Sequence, residues 1–331
     1  MNPPKCDELD YINFLIAAQR TFSAVEAART HPVEGAGPAH DAYTRLLQRA
    51  AAGDEALWRE VEPLVQRRSG VLIVDDTTLD KPYAAKMALV TRHWSGKHGR
   101  VVQGINLISL VWTDGRSRLP CAYRLYHKAQ DGLSKNDHFV QMIRQAKQRG
   151  FAPELVAFDS WYASLENLKL VRQCGWHWLT QLKSNRLVSL DRSGNRPVRD
   201  IFIPAHGALV HLKGYGWIKV FKTVGMNGDV EYWATSQLRM TLEQCAFSAL
   251  DAWQVEVYHR GLKQFTGVEC GQFRLEIAQR NHIGLAIRAS IRLEAYRLRT
   301  GISWFEAKTG IIREAIRAYL AHPSIILAAT A

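Results

Sequence analysis

The chain lacks the features that mark secreted, membrane-spanning and zinc-dependent proteins. Of its 331 residues only five are cysteine, at positions 6, 121, 174, 245 and 270. An odd number with no Cys-x-x-Cys pair argues against a disulfide framework and implies reduced thiols in a cytoplasmic protein. No apolar run approaches the roughly 18 residues of a membrane span, and the longest, such as residues 105–112, are strand-sized. The first ten residues show no basic-then-apolar targeting pattern. The 12 histidines form no His-Glu-x-x-His motif, which argues against zinc. Ser95-Gly96-Lys97-His98-Gly99 lacks the spacing of a phosphate-binding loop and reads as a hairpin turn. Repeats and low-complexity segments are missing as well. Acidic residues are in short supply: 31 Asp and Glu face 43 Lys and Arg, a net charge of +12. Such a surplus suits a polyanionic partner.

The charge is not spread evenly. The first 70 residues carry 8 basic and 10 acidic side chains, so the whole excess lies in the body of the chain. With 47% hydrophobic and 22% charged residues a globular core is expected. Residues 1–70 read as helical, starting from Leu9, Ile12, Phe14, Leu15 and Ile16. The period then changes. Val71-Leu72-Ile73-Val74 is a strand that ends in Asp75-Asp76-Thr77-Thr78, and residues 101–112 and 119–126 flank a turn at Thr113-Asp114-Gly115. A helix over 135–149, a strand over 155–158 ending at Asp159, a helix over 165–174 and a strand over 176–182 follow. Between Arg186 and Thr235 short alternating runs are punctuated by Ser193-Gly194-Asn195, Gly214, Gly216 and Asn227-Gly228, the pattern of an antiparallel β insertion. From Leu242 onward the pattern is helical. Together these elements predict an α/β fold, a mixed sheet flanked by helices.

Two strands end in aspartate, and ligand sites in open α/β sheets gather at strand ends. Two carboxylates there suit hard divalent cations, although strand-end aspartate also serves as a turn former or helix cap. A third acid comes from the helix around residues 253–264. Val255, Tyr258, Leu262 and Phe265 share one face, and Glu256, Arg260 and Lys263 the opposite one. That face reads either as a solvated Glu–Arg pairing or as part of a site. Arg288 and Arg292, with Arg280, His282 and Arg299, form a basic stripe that suits either DNA backbone or solvent.

These residues resemble the DDE transposases of bacterial insertion sequences, the cut-and-paste group whose RNase H-like core is interrupted by a β insertion. The resemblance rests on Asp76-Thr77 at the first strand end, on Phe158-Asp159-Ser160-Trp161-Tyr162, and on Glu256 followed by Lys263-Gln264. It covers about residues 70 to 300. It implies an RNase H-like core over 71–185 and 241–331, a β-strand insertion over 186–240 and an N-terminal helical region over 1–70. It implies further that Asp76, Asp159 and Glu256 are catalytic and hold Mg²⁺, with Mn²⁺ as an alternative. Lys263 would contact a phosphate near the scissile bond with help from Arg260, and Trp217 in the insertion would either stack on a displaced base or fill the hydrophobic face of its own hairpin. The implied partner is double-stranded DNA, both the terminal inverted repeats of the element and the target, bound by a homodimer without any membrane association. The implied activity is cleavage of the element ends and joining of the 3′ ends to target DNA. A catalytically lapsed DNA-binding derivative and a nuclease without strand transfer are the alternatives. Two departures stand out. The Tyr and Arg of the family's Tyr-Arg-Glu-Lys signature fall at Ala249 and Ala252. Asp75 also competes with Asp76, since adjacent strand residues point to opposite faces, and the family pattern favours Asp76.

Overall fold

The computed structural model of the chain describes residues 4–33, 35, 37–95, 99–225 and 228–325. Gly96, Lys97 and His98 of the expected hairpin turn, and Asn227 of the Asn-Gly pair, lie outside them. The chain forms two compact units, one of residues 54–259 and one of residues 1–53 with 260–331. In the second of these, α1 (Glu8–Ala17), α2 (Ala24–Arg29) and α3 (His40–Arg49) come from the N-terminal segment.

The unit of residues 54–259 opens with α4 (Asp54–Val61) and then builds a sheet from β1 (Val71–Asp80), β2 (Thr91–Ser95), β3 (Arg100–Thr113) and β4 (Leu119–Tyr126). Helices α5 (Lys128–Asp131) and α6 (Lys135–Gln148) lead to β5 (Leu155–Phe158), and α7 (Leu165–Gln173) leads to β6 (Trp178–Leu182). A short pair, β7 (Leu187–Val188) and β8 (Arg196–Pro197), precedes β9 (Ala208–Leu212), β10 (Gly216–Val224) and β11 (Val230–Thr235). The unit closes with α8 (Leu242–Ala252) and the first half of α9 (Gln254–Phe265).

Nine strands form one mixed sheet in the order β2-β3-β1-β5-β6-β11-β10-β9, with β4 also on β3. β1 runs antiparallel to β3 and parallel to β5, and β5 runs parallel to β6. Strands covered on both faces read as unbroken apolar runs, and Val71–Val74 of β1 and all of β5 are buried accordingly. The expected β insertion joins this sheet, because β11 pairs antiparallel with β6. α6 starts on a capping box made by Ser134 and Asp137. It buries Phe139, Met142, Ile143 and Ala146, the spacing of one helix face. Gly70, at φ +74, occupies a turn in which a Cβ would strike the Thr113 carbonyl, so only glycine fits.

In the other unit α10 (Glu276–Thr300) is the central helix, and α11 (Trp304–Ala321) follows it. Residues 281–291 of α10 are all buried, the mark of a helix covered on every side. Two of its buried polar residues have specific partners, whereas the buried side-chain amide of Gln279 makes no hydrogen bond. Tyr11 Oη lies 2.9 Å from His282 Nδ1, and Asn281 Nδ2 donates to the Leu47 carbonyl at 2.7 Å. Among the described residues no helix is long and apolar enough to cross a membrane.

Candidate active site

β1 carries its last buried apolar residue before the acids at Val74, which pairs with Phe158 of β5. Continued by one residue, this parallel register sets Asp75 opposite Asp159. Matched residues on parallel strands project to the same face and their neighbours to the other, so Asp75 shares a face with Asp159 and Asp76 does not. The carboxylate of Asp75 meets Glu256 and His259, with one ligand atom from each lying within 4.8 Å of the others. Glu256 sits in the first turn of α9, and His259 follows one turn later on the same side of the helix. His259 is buried. Its Nδ1 lies 3.7 Å from Asp75 Oδ2, and its Nε2 is 3.1 Å from Ser109 Oγ on β3. Burial, together with the neighbouring charges of Asp76, Glu256 and Asp159, pushes the Asp75 carboxyl well above the usual carboxylate range.

Asp76 is engaged differently. Its Oδ2 accepts from Lys135 Nζ and from Asn106 Nδ2, both at 2.7 Å, and its Oδ1 accepts from Tyr162 Oη at 2.8 Å. Burial alone would raise its pKa. The Lys135 ammonium and the three hydrogen bonds outweigh that and hold the group below its ordinary value. The Tyr162 hydroxyl is pushed well above its own ordinary range by burial and by the Asp76 charge.

Of the three expected acids, the structure therefore brings Glu256 together with Asp75 and leaves Asp76 out of that group. Asp159 is exposed at the end of β5, where its side chain accepts from the Ser160 amide and caps the following turn. It is outside the 4.8 Å group, although its charge reaches Asp75. Lys263 and Arg260 belong to the helical unit. There Lys263 Nζ pairs with Glu269 Oε1 at 3.1 Å, and Arg260 is exposed. Trp217 on β10 is 37% exposed, with the Arg192 guanidinium 5.6 Å from its ring. Arg288 corrects the expected basic stripe. It is 8% exposed and pairs with Glu8, because α10 is buried all round at that level, while Arg292 is half-buried.

Sequence reasoning passed over His259, Lys135, Asn106 and Tyr162. His259 carried a usable signal, its three-residue spacing from Glu256. Tyr162 stood in the motif around Asp159 without a role of its own, and Lys135 and Asn106 carried no signal; the three reach Asp76 across 86, 59 and 30 residues of chain. Two carboxylates and an imidazole whose ligand atoms lie within 4.8 Å of one another could close on a divalent cation. The carboxylate oxygens fit Mg²⁺ or Mn²⁺, whereas an imidazole nitrogen is the ligand that softer ions prefer.

A family model described as DDE superfamily endonuclease matches residues 11–199, more than half of the chain. The chain belongs to this family. The matched span of the DDE endonuclease model contains Asp75, Asp76 and Asp159 and stops short of Glu256. No curated protein sequence matches the chain. Among solved structures, a cryo-EM structure of piggyBac transposase in a synaptic complex with hairpin DNA is similar at TM-score 0.55 and 10% identity. The likeness covers 98% of this chain and 74% of that one, and at this identity it is a likeness of fold. By that likeness the mixed sheet and its flanking helices have the RNase H-like fold. The Mos1 strand transfer complex (12% identity, 54% of this chain, 58% of that one) scores 0.20, and the Drosophila P element transposase strand transfer complex (8% identity, 92% and 91%) scores 0.19. Neither score carries an argument.

Proposed function

We propose that this DDE endonuclease is the transposase of a bacterial insertion sequence. In this reading a homodimer binds the two terminal repeats, cleaves them and joins the 3′ ends to target DNA. The observation that carries it is the meeting of Asp75, Glu256 and His259 within 4.8 Å in a chain of this family. The synaptic complex of piggyBac transposase with hairpin DNA supports DNA as the partner, and the net charge of +12 fits a polyanion.

Asp75 and Glu256 would hold Mg²⁺ or Mn²⁺ from one side, with Asp159 approaching from the same sheet face. Bound there, a divalent cation supplies an acidified water and neutralises charge that builds up on the phosphate. Ser109 orients the His259 ring, and His259 in turn borders Asp75. Lys135 and Tyr162 hold Asp76, which keeps the middle of β1, a strand that runs on to Asp80, rigid and the two adjacent carboxylates on separate faces. Asp76 supports the site in this reading, a change from the expectation drawn from the family pattern. Lys263 and Arg260 would contact DNA phosphates.

The experiment is a metal-dependent cleavage and joining assay on supercoiled plasmid with Mg²⁺ and with Mn²⁺. Glu256→Gln should abolish both steps and leave DNA binding intact, since phosphate contacts dominate affinity. Wild-type nicking by Glu256→Gln would sink the reading. Nicking without joining by the wild type would leave a nuclease.

A further inference from the structure

A cavity of about 610 Å³ opens among the N-terminal helices, and no step of the proposed cleavage uses it. Its walls come from the second half of α1, the loop after it, α2 and the start of α3. Phe14, Ala27 and Tyr43 give it a buried, apolar floor. The volume suits a small organic ligand, for which roughly 300–1,000 Å³ is usual. Three polar groups of the lining lack a full set of partners. Tyr43 is 1% exposed and packs on Tyr11 at 6.2 Å between ring centroids, yet its hydroxyl bonds to no described residue. Burial and the nearby Cys6, Asp10 and Asp7 push that hydroxyl up to about 12, so it stays protonated. Asp10 accepts the Asp7 amide on Oδ2 at 2.9 Å, in the capping box of α1, and its Oδ1 accepts from no described residue. The Glu26 carboxylate meets only Arg29 among the described residues, at 3.9 Å and from a side chain 74% exposed. Such a contact is worth little in water.

Two basic side chains also line the cavity, and neither answers these groups. His31 Nδ1 accepts the Val33 amide at 3.3 Å, which leaves its ring neutral. Arg20 is exposed and bonds to no described residue, so its charge is spread into water, whereas Asp10 and Glu26 are half-buried. α1 also ends at Ala17 on this wall with no basic residue in its last turn, so the negative end of its dipole is bare of its own cations. Under-satisfied carboxylates, a buried hydroxyl and an apolar floor together call for a cation on a carbon chain. We propose that this cavity binds a small aliphatic amine, its ammonium on the Asp10 and Glu26 carboxylates and the Tyr43 hydroxyl, and its carbon chain over Phe14 and Ala27. An ammonium has three donors, one for each of these acceptors, and the aromatic faces of Phe14 and Tyr43 favour a cation. The site goes beyond the endonuclease reading, since none of its residues belongs to the acidic group of Asp75.

The test is isothermal titration calorimetry on the full chain without DNA. The probes are cadaverine, pentanediol and glutarate, which share one chain length and differ in charge, and a lysine capped at both its amino and carboxyl ends. Cadaverine should bind saturably and at least about tenfold more tightly than pentanediol or glutarate. Glu26→Gln and Asp10→Asn should each weaken cadaverine about tenfold, the loss of one hydrogen bond between charged groups. Asp10→Asn keeps an acceptor for the Asp7 amide. Tyr43→Phe should weaken cadaverine about threefold with no fall in melting temperature, because the hydroxyl has no partner in the protein to lose. Arg20→Ala should leave binding unchanged or tighter. No saturable binding, equal binding of cadaverine and pentanediol, or folded Glu26→Gln and Tyr43→Phe proteins that bind cadaverine as the wild type does would each overturn the proposal. Binding of the capped lysine without cadaverine would assign the site to a lysine of a protein segment and overturn the free-amine reading. Cadaverine binding that depends on Glu26 in a chain that cleaves no DNA would leave this site standing and remove the endonuclease mechanism. Metal-dependent cleavage without cadaverine binding would do the reverse.

Discussion

Asp75→Asn and Asp76→Asn each replace one carboxylate oxygen by nitrogen and preserve shape, so the pair isolates what each charge does. Asp76 accepts three hydrogen bonds, one of them from an ammonium, and its side chain is 18% exposed. An asparagine there can offer its oxygen to Lys135 and Asn106 and its amide N–H to Tyr162 Oη, but the Tyr162 O–H then loses its acceptor and the ion pair is lost. Discounted for partial exposure, the cost is about 2–4 kcal/mol. At ~2–4 °C per kcal/mol for a domain of this size, the melting temperature should fall by roughly 5–15 °C. Asp75→Asn should behave in the opposite way. Its carboxyl is raised by burial and by three neighbouring acids, so its ionised form opposes folding. The sign follows from linkage: with a folded pKa above the unfolded one, the favourable contribution is complete below about pH 4 and is lost as pH rises through the raised value. Removing the charge therefore leaves stability at neutral pH unchanged or higher.

Function should divide the other way. If Asp75 is a metal ligand, its loss removes several kcal/mol of transition-state stabilisation, and about 4 kcal/mol is a factor of ~10³ in nicking rate. Plasmid nicking gives the rate, and thermal melts with and without Mn²⁺ report occupancy, since ~100-fold excess over Kd adds about 2.7 kcal/mol. Wild type and Asp76→Asn should gain melting temperature on Mn²⁺ addition, and Asp75→Asn should not. Asp75→Asn that nicks at the wild-type rate and keeps its Mn²⁺ shift, beside an inactive Asp76→Asn, would refute the reasoning.

Two further outcomes follow from the helical unit. Arg288→Ala strands Glu8 beside a buried helix and should cost about 2–4 kcal/mol. DNA affinity and its salt slope, measured on the folded fraction, should match wild type, whereas a reduced slope would return Arg288 to the DNA-binding surface. Lys308 is 6% exposed and donates to the Phe265 carbonyl at 2.9 Å; burial lowers its pKa from 10.5 to about 8. The unfolded chain then binds more protons between those values, so stability should rise from pH 8 toward pH 10 by about 2–3 kcal/mol from this group. In Lys308→Met that rise should vanish from melts taken across the range, and a rise of equal size in the variant would contradict the assignment.

What the sequence discloses of the fold depends on how each strand is buried. β1, β5 and β6 lie at the centre of the sheet and are legible as apolar runs. β2 is Thr-Arg-His-Trp-Ser on the far side of β3, with neither an apolar run nor an alternation to reveal it. Its existence comes from pairing with the first half of β3, a property of two segments together. The insertion shows the same limit. Its strands were visible from their alternation and turns, but nothing local says that β11 continues the core sheet at β6. The N-terminal helices were visible as helices too. Their association with α10 rests on Tyr11 with His282, Leu47 with Asn281 and Glu8 with Arg288, contacts separated by 271, 234 and 280 residues.

The acidic site follows the same logic at the scale of one residue. Alternation along a strand states that Asp75 and Asp76 face opposite ways and is silent on which faces Glu256. That choice is made by the parallel register of β1 on β5, where Val74 meets Phe158 and Asp75 consequently stands level with Asp159. A slip of one residue would exchange the two acids: Asp76 would take the Glu256 side, and Lys135, Asn106 and Tyr162 would face Asp75. The three groups that bind Asp76 thus belong to the active-site argument even though none of them reaches the Asp75 group. An unpaired Asp76 carboxylate would bear a buried charge with no compensation. Its partners make the observed register the favourable one, and the register in turn sets Asp75 on the face of Glu256 and Asp159.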